Sequence, residues 1–164
     1  MKVTFAPRDI LQINDARIVF RNFTGEASVY NHAGDRNFAI IIPDEDLAED
    51  LKNRGWNVKI KPPKESGDVP FMYLPVKVKF NDRGPQIYLI TGKSHNRLDE
   101  ESVSRLDKIT IESVNLDIRP YDWTIQAGTP NEKSGRSAYL QSMEVIQDID
   151  RFAARYAEEE CPEE

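Results

Sequence analysis

A mainly β domain with two or three short helices is the fold class this sequence predicts. About seven segments alternate apolar and polar residues with the period of a strand. Clusters of Gly, Pro, Asn and Asp separate them. Only three stretches carry helical spacing or helix start and stop signals. At 164 residues, with 39% hydrophobic and 30% charged residues, the chain fits one domain with a core of its own.

The first strand signal places Ala16, Ile18 and Phe20 inward against Arg17, Val19 and Arg21. Two turn clusters, Thr24–Glu26 and Asn31–Asp35, lead to a second strand at Arg36 that runs into Phe38-Ala39-Ile40-Ile41-Ile42. PDEDLAEDLKNRG then reads as a helix, with acids in its first turn, Lys52 and Arg54 in its last and Gly55 as its stop. Trp56, Val58 and Ile60 alternate with Asn57, Lys59 and Lys61. From Phe71 to Phe80 the even positions are apolar, leaving Tyr73, Lys77 and Lys79 on the other side. Gln86–Thr91, Ile109–Arg119 and Ala138–Ile146 complete the strands. A second helix is expected over Asp99–Lys108, with Asp99 as its N-cap. A third follows from Ile149, Phe152, Ala153 and Tyr156 at i, i+3, i+4 and i+7. Residues 61–70 and 128–137 read as long loops, and Phe20, Phe38 and Trp56 as core.

Composition and motifs exclude more than they assign. Cys161 stands alone, and with His32 and His95 it has no zinc-ligand spacing, so no metal, cofactor or disulfide is expected. Thr91-Gly92-Lys93-Ser94 resembles the end of a phosphate-binding loop, but Ile87 stands where that loop requires a glycine. Neither histidine is tied to a nucleophile by a known motif, so no enzyme is expected. No apolar run approaches a membrane span, which points to the cytoplasm. Five of the six net negative charges lie in Glu158–Glu164, so residues 1–157 carry a net charge of only −1. The chain therefore divides into a domain, 1–157, and an acidic tail, 158–164.

The positive signal is aromatic rings interleaved with cations on the polar side of the strands. Rings stack on bases and cations pair with phosphates, a combination suited to single-stranded nucleic acid. Arg21, Arg36, Lys59, Lys61, Lys77 and Lys79 are the candidate phosphate contacts. Phe23, Tyr30, Tyr73, Tyr88, Tyr121 and Trp123 are the candidate stacking platforms. A competing reading puts Phe23, Tyr73 and Tyr88 over a second small core, with the lysines solvating an edge. Asn22, Asn31 and Asn37 suit turns secured by side chain to backbone bonds.

Arg-Asn-Phe occurs twice, at residues 21–23 and 36–38, around Tyr30-Asn31 and Gly34-Asp35. Together with YLPVKVKF, RLDEESVSRLD, LDIRPYDW and AYLQSMEV, over roughly residues 17–157, these elements resemble a family of small proteins from tailed-bacteriophage replication modules. The family is regarded as binding single-stranded DNA. That resemblance implies an OB-fold-like β-barrel, elaborated here with extra hairpins because the strand signals outnumber five. It implies sequence-independent coating of single-stranded DNA in phage replication or recombination, with replication or recombination proteins as partners of the tail. The alternative is a phage interaction module that binds or inhibits a host factor.

Overall fold

The computed structural model describes residues 1–63, 65, 67–68, 70–149 and 152. In chain order the elements are β1 (Lys2–Phe5), a 3-10 turn (Pro7–Asp9), β2 (Leu11–Ala16), β3 (Ile18–Asn22), β4 (Arg36–Ile41), α1 (Glu45–Asn53), β5 (Lys59–Lys61) and β6 (Phe71–Val78). They continue with β7 (Gln86–Thr91), β8 (Ser94–Leu98), a second 3-10 turn (Val103–Asp107), β9 (Ile111–Ile125) and β10 (Lys133–Gln147). Among the described residues this is one mainly β domain with a single α-helix.

The main path of the sheet is β1-β2-β9-β10-β6-β4-β3, with β5 beside β6, and β7 and β8 added along β10. All ladders are antiparallel except β10 with β6 and β10 with β7. The path has two ends, so the ladders do not close the barrel that was expected. Its end strand β3 nevertheless continues β2 directly. Arg17 alone separates them, and its carbonyl accepts from Ile41 N on β4 at 2.9 Å.

Four register shifts break the ladders, one of them at Ile146–Gln147 near the end of β10. Between Ile13 and Ala16, and again between Val19 and Asn22, three residue steps face two on the partner strand. Each contains a left-handed residue, Asp15 (φ 56°) and Phe20 (φ 53°). A third inserts Gln141 opposite the Ile118–Asp117 step. An extra residue increases local twist and bends its strand, rolling the apolar face inward.

That inner face carries Leu11, Ile13, Phe38, Ile40, Leu74, Val76, Ile87, Leu89, Leu116, Ile118, Leu140 and Val145, all buried. β6 alternates as its sequence dictates, with Met72, Leu74, Val76 and Val78 inside. α1 is capped by Asp44, whose carboxylate accepts from Leu47 N at 2.7 Å, and it buries Ala48 and Leu51. Trp56 is buried under the Arg136 guanidinium, 5.3 Å above its ring.

Several expectations are corrected. β1 and β8 had no sequence signal. The loop expected over 128–137 is shorter, because β9 and β10 extend as a ribbon to Ile125 and Lys133. The helix expected over Asp99–Lys108 is only a 3-10 turn at Val103–Asp107; Asp99 instead closes the preceding turn, its Oδ1 accepting from Glu101 N and Ser102 N. Of the expected C-terminal stripe, Ala153 and Tyr156 lie outside the described residues, as does the acidic run 158–164.

The two Arg-Asn-Phe copies form an internal clasp. Phe23 and Phe38 are both buried and stack at 5.3 Å between centroids. Arg21 Nη1 donates to the carbonyls of Leu106 (2.6 Å) and Ile109 (2.7 Å). Arg36 Nε donates to Phe23 O (3.0 Å), and its Nη1 meets Glu100 at 3.4 Å. Asn22 Oδ1 accepts from Gly25 N and Glu26 N, while Asn37 Nδ2 donates to Asn31 Oδ1. Asp107 anchors the clasp from the 3-10 turn, accepting from Phe23 N, Thr24 N and Thr24 Oγ1 at 2.7–2.9 Å.

Removing that carboxylate orphans two backbone donors where the chain leaves β3. Asp107→Ala is therefore expected to lower stability by about 1–3 kcal/mol in urea denaturation. A change of only a few tenths would show that the clasp is held by Phe23–Phe38 packing alone.

Candidate nucleic-acid interface

The outer face of the sheet gathers what the core rejects. The odd residues of β6, Phe71, Tyr73, Pro75 and Lys77, stand opposite its buried even set. β5 pairs Lys59 with Tyr73 and Lys61 with Phe71, adding two exposed lysines to that side. Beyond β5, the same edge of β6 pairs Lys77 with Tyr139 of β10. The β9–β10 register then carries the face along the ribbon through Arg119↔Tyr139, Tyr121↔Ser137, Trp123↔Gly135 and Ile125↔Lys133.

Side-chain geometry joins these positions into a strip. The Phe20 ring, 55% exposed, meets Tyr73 edge-on at 5.3 Å and Phe71 at 6.1 Å. Phe71 and Tyr73 lie 5.5 Å apart, and Lys61 Nζ is 5.9 Å from the Phe20 ring. Farther along, Tyr139 is flanked by Arg119 at 5.0 Å, Lys77 at 5.7 Å and Tyr121 at 5.9 Å. Trp123 lies flat against Gly135, where a Cβ would come within 2.6 Å of the indole. A glycine there is required for the ring to lie down on the ribbon.

Six rings and four cations thus share one face: Phe20, Phe71, Tyr73, Tyr139, Tyr121 and Trp123 with Lys59, Lys61, Lys77 and Arg119. Among the described residues none of these cations is in an ion pair, whereas Arg36, Arg54 and Arg136 are. Unpaired cations between exposed rings leave both stacking surface and positive charge to a ligand.

The expected site residues divide accordingly. Tyr73, Tyr121, Trp123, Lys59, Lys61 and Lys77 lie on the strip. Lys79 follows the end of β6 and lines a cleft beside Arg119. Tyr30, 97% exposed, sits at the tip of the loop between β3 and β4. That loop is held by Asn31 Nδ2, which donates to the carbonyls of Glu26, His32 and Asp35, and by Gly34 N donating to Gly25 O. Tyr88 is on β7, beyond the Gln141 bulge, between Glu144 of β10 and Arg97 of β8 and away from the strip.

Three residues are corrected outright. Phe23 is inaccessible in the core, and Arg21 and Arg36 are committed to protein carbonyls, so none of them faces a ligand as expected. Phe20, expected inside, takes the place on the strip. The left-handed bulge explains the exchange: one extra residue turns Phe20 out and Arg21 in. Phe71, Tyr139 and Arg119 were not among the expected contacts, although Phe71 shares the polar side of β6 with Tyr73 and Lys77. The signal that could have found Tyr139 was its alternation with Ala138 and Leu140.

The opposite side of the ribbon is acidic and self-satisfied. Arg136 grips Asp122 through two bonds (2.7 and 3.1 Å) and reaches Asp9 at 3.3 Å. The hydrogen bond from Arg136 holds the Asp122 carboxyl below the usual carboxylate range, outweighing the opposing effect of burial, with the Arg136 charge adding to it. The same bond raises Arg136. No group of three His, Cys, Asp or Glu that could hold a metal occurs among the described residues. No described helix is long and apolar enough to cross a membrane.

Because the folded Asp122 pKa lies below its unfolded value, its contribution to stability is complete above about pH 4 and is lost as pH falls through the folded pKa. The carboxylate side chain is 64% exposed, so this contribution stays within about 1 kcal/mol. Asp122→Asn is expected to be slightly less stable than the native chain at pH 7 and to converge with it in acid. A difference that persists undiminished at pH 2 would contradict this origin.

No curated protein matches the chain. Among solved structures, the single-stranded DNA-binding protein from bacteriophage Enc34, as a C-terminal truncation, shares the fold at a TM-score of 0.54. The two are 11% identical, and the match covers 90% of this chain and 91% of that one. The family described as "Putative phage ssDNA-binding domain" matches residues 1–163, almost the entire length. With the fold, the outward strip of rings and cations and that match in agreement, the chain belongs to the phage single-stranded-DNA-binding family.

Proposed function

We propose that the outer strip binds single-stranded DNA without sequence preference, by stacking and phosphate pairing and without chemistry. The observation that carries this reading is the convergence of rings from β3, β6, β9 and β10 on one face, interleaved with unpaired cations from β5, β6 and β9. Bases stack on Phe20, Phe71, Tyr73, Tyr139, Tyr121 and Trp123. Lys59, Lys61, Lys77, Lys79 and Arg119 take phosphates, and Tyr30 caps one flank from its loop.

The architecture supports the same reading. Counting the bent β2–β3 run as one strand, the neighbours are β2/β3, β4, β6, β10, β9 and β2/β3 again. That is the strand order of an OB-like barrel, with α1, β1, β7 and β8 as elaborations. The strip then falls on the first and third barrel strands and on the hairpin between the last two; the third strand and that hairpin are among the surfaces OB-folds use for oligonucleotides. Such coating serves phage replication or recombination. The acidic run Glu158–Glu164 is proposed as the contact for partner proteins in that process, on its charge alone.

Tyr73→Ala and Tyr139→Ala are each expected to weaken binding of a labelled single-stranded oligonucleotide by about 1–3 kcal/mol. Melting temperature should change little, since each ring has an exposed side. Phe23→Ala is expected to behave oppositely, costing about 3–5 kcal/mol of stability through its core cavity. Anisotropy titrations beside thermal melts separate the two. Unimpaired binding by both tyrosine variants would place the DNA strand on a face other than this strip.

A further inference from the structure

Beyond the Tyr139 end of the strip lies a cleft of about 540 Å³ bounded by Lys79, Arg83, Arg119, Gln86, Gln141 and Ser142. Its size is that of a small-molecule site, roughly 300–1,000 Å³. Four parts of the fold build it. Lys79 leaves the end of β6, and Arg119 projects from β9. Arg83 sits in the β6–β7 turn, which is closed by Asn81 N to Gly84 O (2.8 Å), by Gly84 N to Asn81 O (3.1 Å) and by Arg83 N to Asn81 Oδ1 (2.9 Å). The Gln141 bulge in β10 forms the fourth side.

No carboxylate lines this cleft. The nearest acids are turned to other work or other directions: Asp117 accepts from Ser142 Oγ at 3.3 Å, and Asp82 lies in the turn without joining the wall. Among the described residues Lys79, Arg83 and Arg119 make no ion pair. Three like charges around one concavity repel each other, and low-dielectric walls focus their field outward. An anion in the cleft removes that penalty. The side-chain amides of Gln86 and Gln141 supply neutral donors for its oxygens.

We infer that this cleft is a phosphate subsite for the same DNA strand, placed where the strand leaves the rings; the inference rests on the strip being the binding face. Arg119 couples the two. Its guanidinium lies 5.0 Å over the Tyr139 ring and also lines the cleft, so a base stacked at Tyr139 and Tyr121 brings its flanking phosphate to the cleft mouth. The guanidinium forks of Arg83 and Arg119 match phosphate oxygens in pairs, and Lys79 adds a point charge. Both an internal phosphodiester and a terminal phosphate present this chemistry.

The test uses the full chain with Lys79→Ala and Arg83→Ala combined, neither residue being in contact with a strip ring. Salt titrations of oligothymidylate binding, with and without a 5′-phosphate, read the effect. Removing two phosphate contacts is expected to flatten the log–log salt slope by up to about 1.4, at roughly 0.7 per contact on a single strand. Equal loss for both oligonucleotides assigns an internal phosphodiester; loss confined to the phosphorylated one assigns a terminal phosphate. Lys2→Ala with Lys52→Ala removes the same charge from β1 and α1 and is expected to leave the slope unchanged. An equal flattening in that control overturns the subsite in favour of overall charge. An unaltered slope in the cleft variant, while Tyr139→Ala still weakens binding, overturns the subsite and leaves the strip standing. Full binding by both variants overturns both.

Discussion

The left-handed turn of the backbone at Phe20 is the constraint on which this surface depends. A bulky non-glycine residue at φ 53° costs on the order of 1–3 kcal/mol and persists only where its surroundings enforce it. Here the enforcement is visible on both sides of the chain. Inside, Arg21 is pinned by the carbonyls of Leu106 in the second 3-10 turn and of Ile109 just after it, and Asp107 accepts from the amides of Phe23 and Thr24. Outside, the Phe20 ring closes edge-on against Phe71 and Tyr73. One extra residue in β3 therefore converts a core phenylalanine into a surface ring and a surface arginine into an interior tie.

The same division of labour runs through the molecule. Arginines on the inner or acidic sides are consumed by structure: Arg21 by carbonyls, Arg36 by Phe23 O and Glu100, Arg136 by Asp122 and Asp9. The cations on the outer side of β5, β6 and β9 are left without acids. A domain of nearly neutral charge thereby gathers unpaired cations on one face, while Glu100, Asp9 and Asp122 hold arginines in ion pairs elsewhere. Overall charge is a poor guide to partner in such a chain; where the acids sit decides it.

Much of the fold could be read from the residues where no bulge intervened. β6 alternates without interruption, so its inner and outer sets, including Tyr73 and Lys77, follow from period two alone. α1 carries its own cap and stop. β8, with the sequence Ser-His-Asn-Arg-Leu, was illegible because a strand at the sheet edge exposed on both faces has no alternation to show. The ribbon beyond Arg119 was hidden by Gly135, whose smallness accommodates Trp123 rather than marking a loop. At Phe20 and Arg21 the alternation itself misleads, since a bulge reverses every inference made across it. Long-range ties such as Arg21 to Leu106 leave no local trace, so the purpose of the Arg-Asn-Phe pair was open until β3 met the second 3-10 turn.

The central claim, that one outer face holds the DNA strand, is tested most directly by photocrosslinking the native chain to a halogenated-uracil oligonucleotide and mapping the adducts by mass spectrometry. The account predicts adducts on Tyr73, Tyr139, Tyr121 and Trp123, and none on Phe23, Phe38 or Trp56. Adducts that avoid the strip and collect on the α1 side or around Arg136 would contradict it.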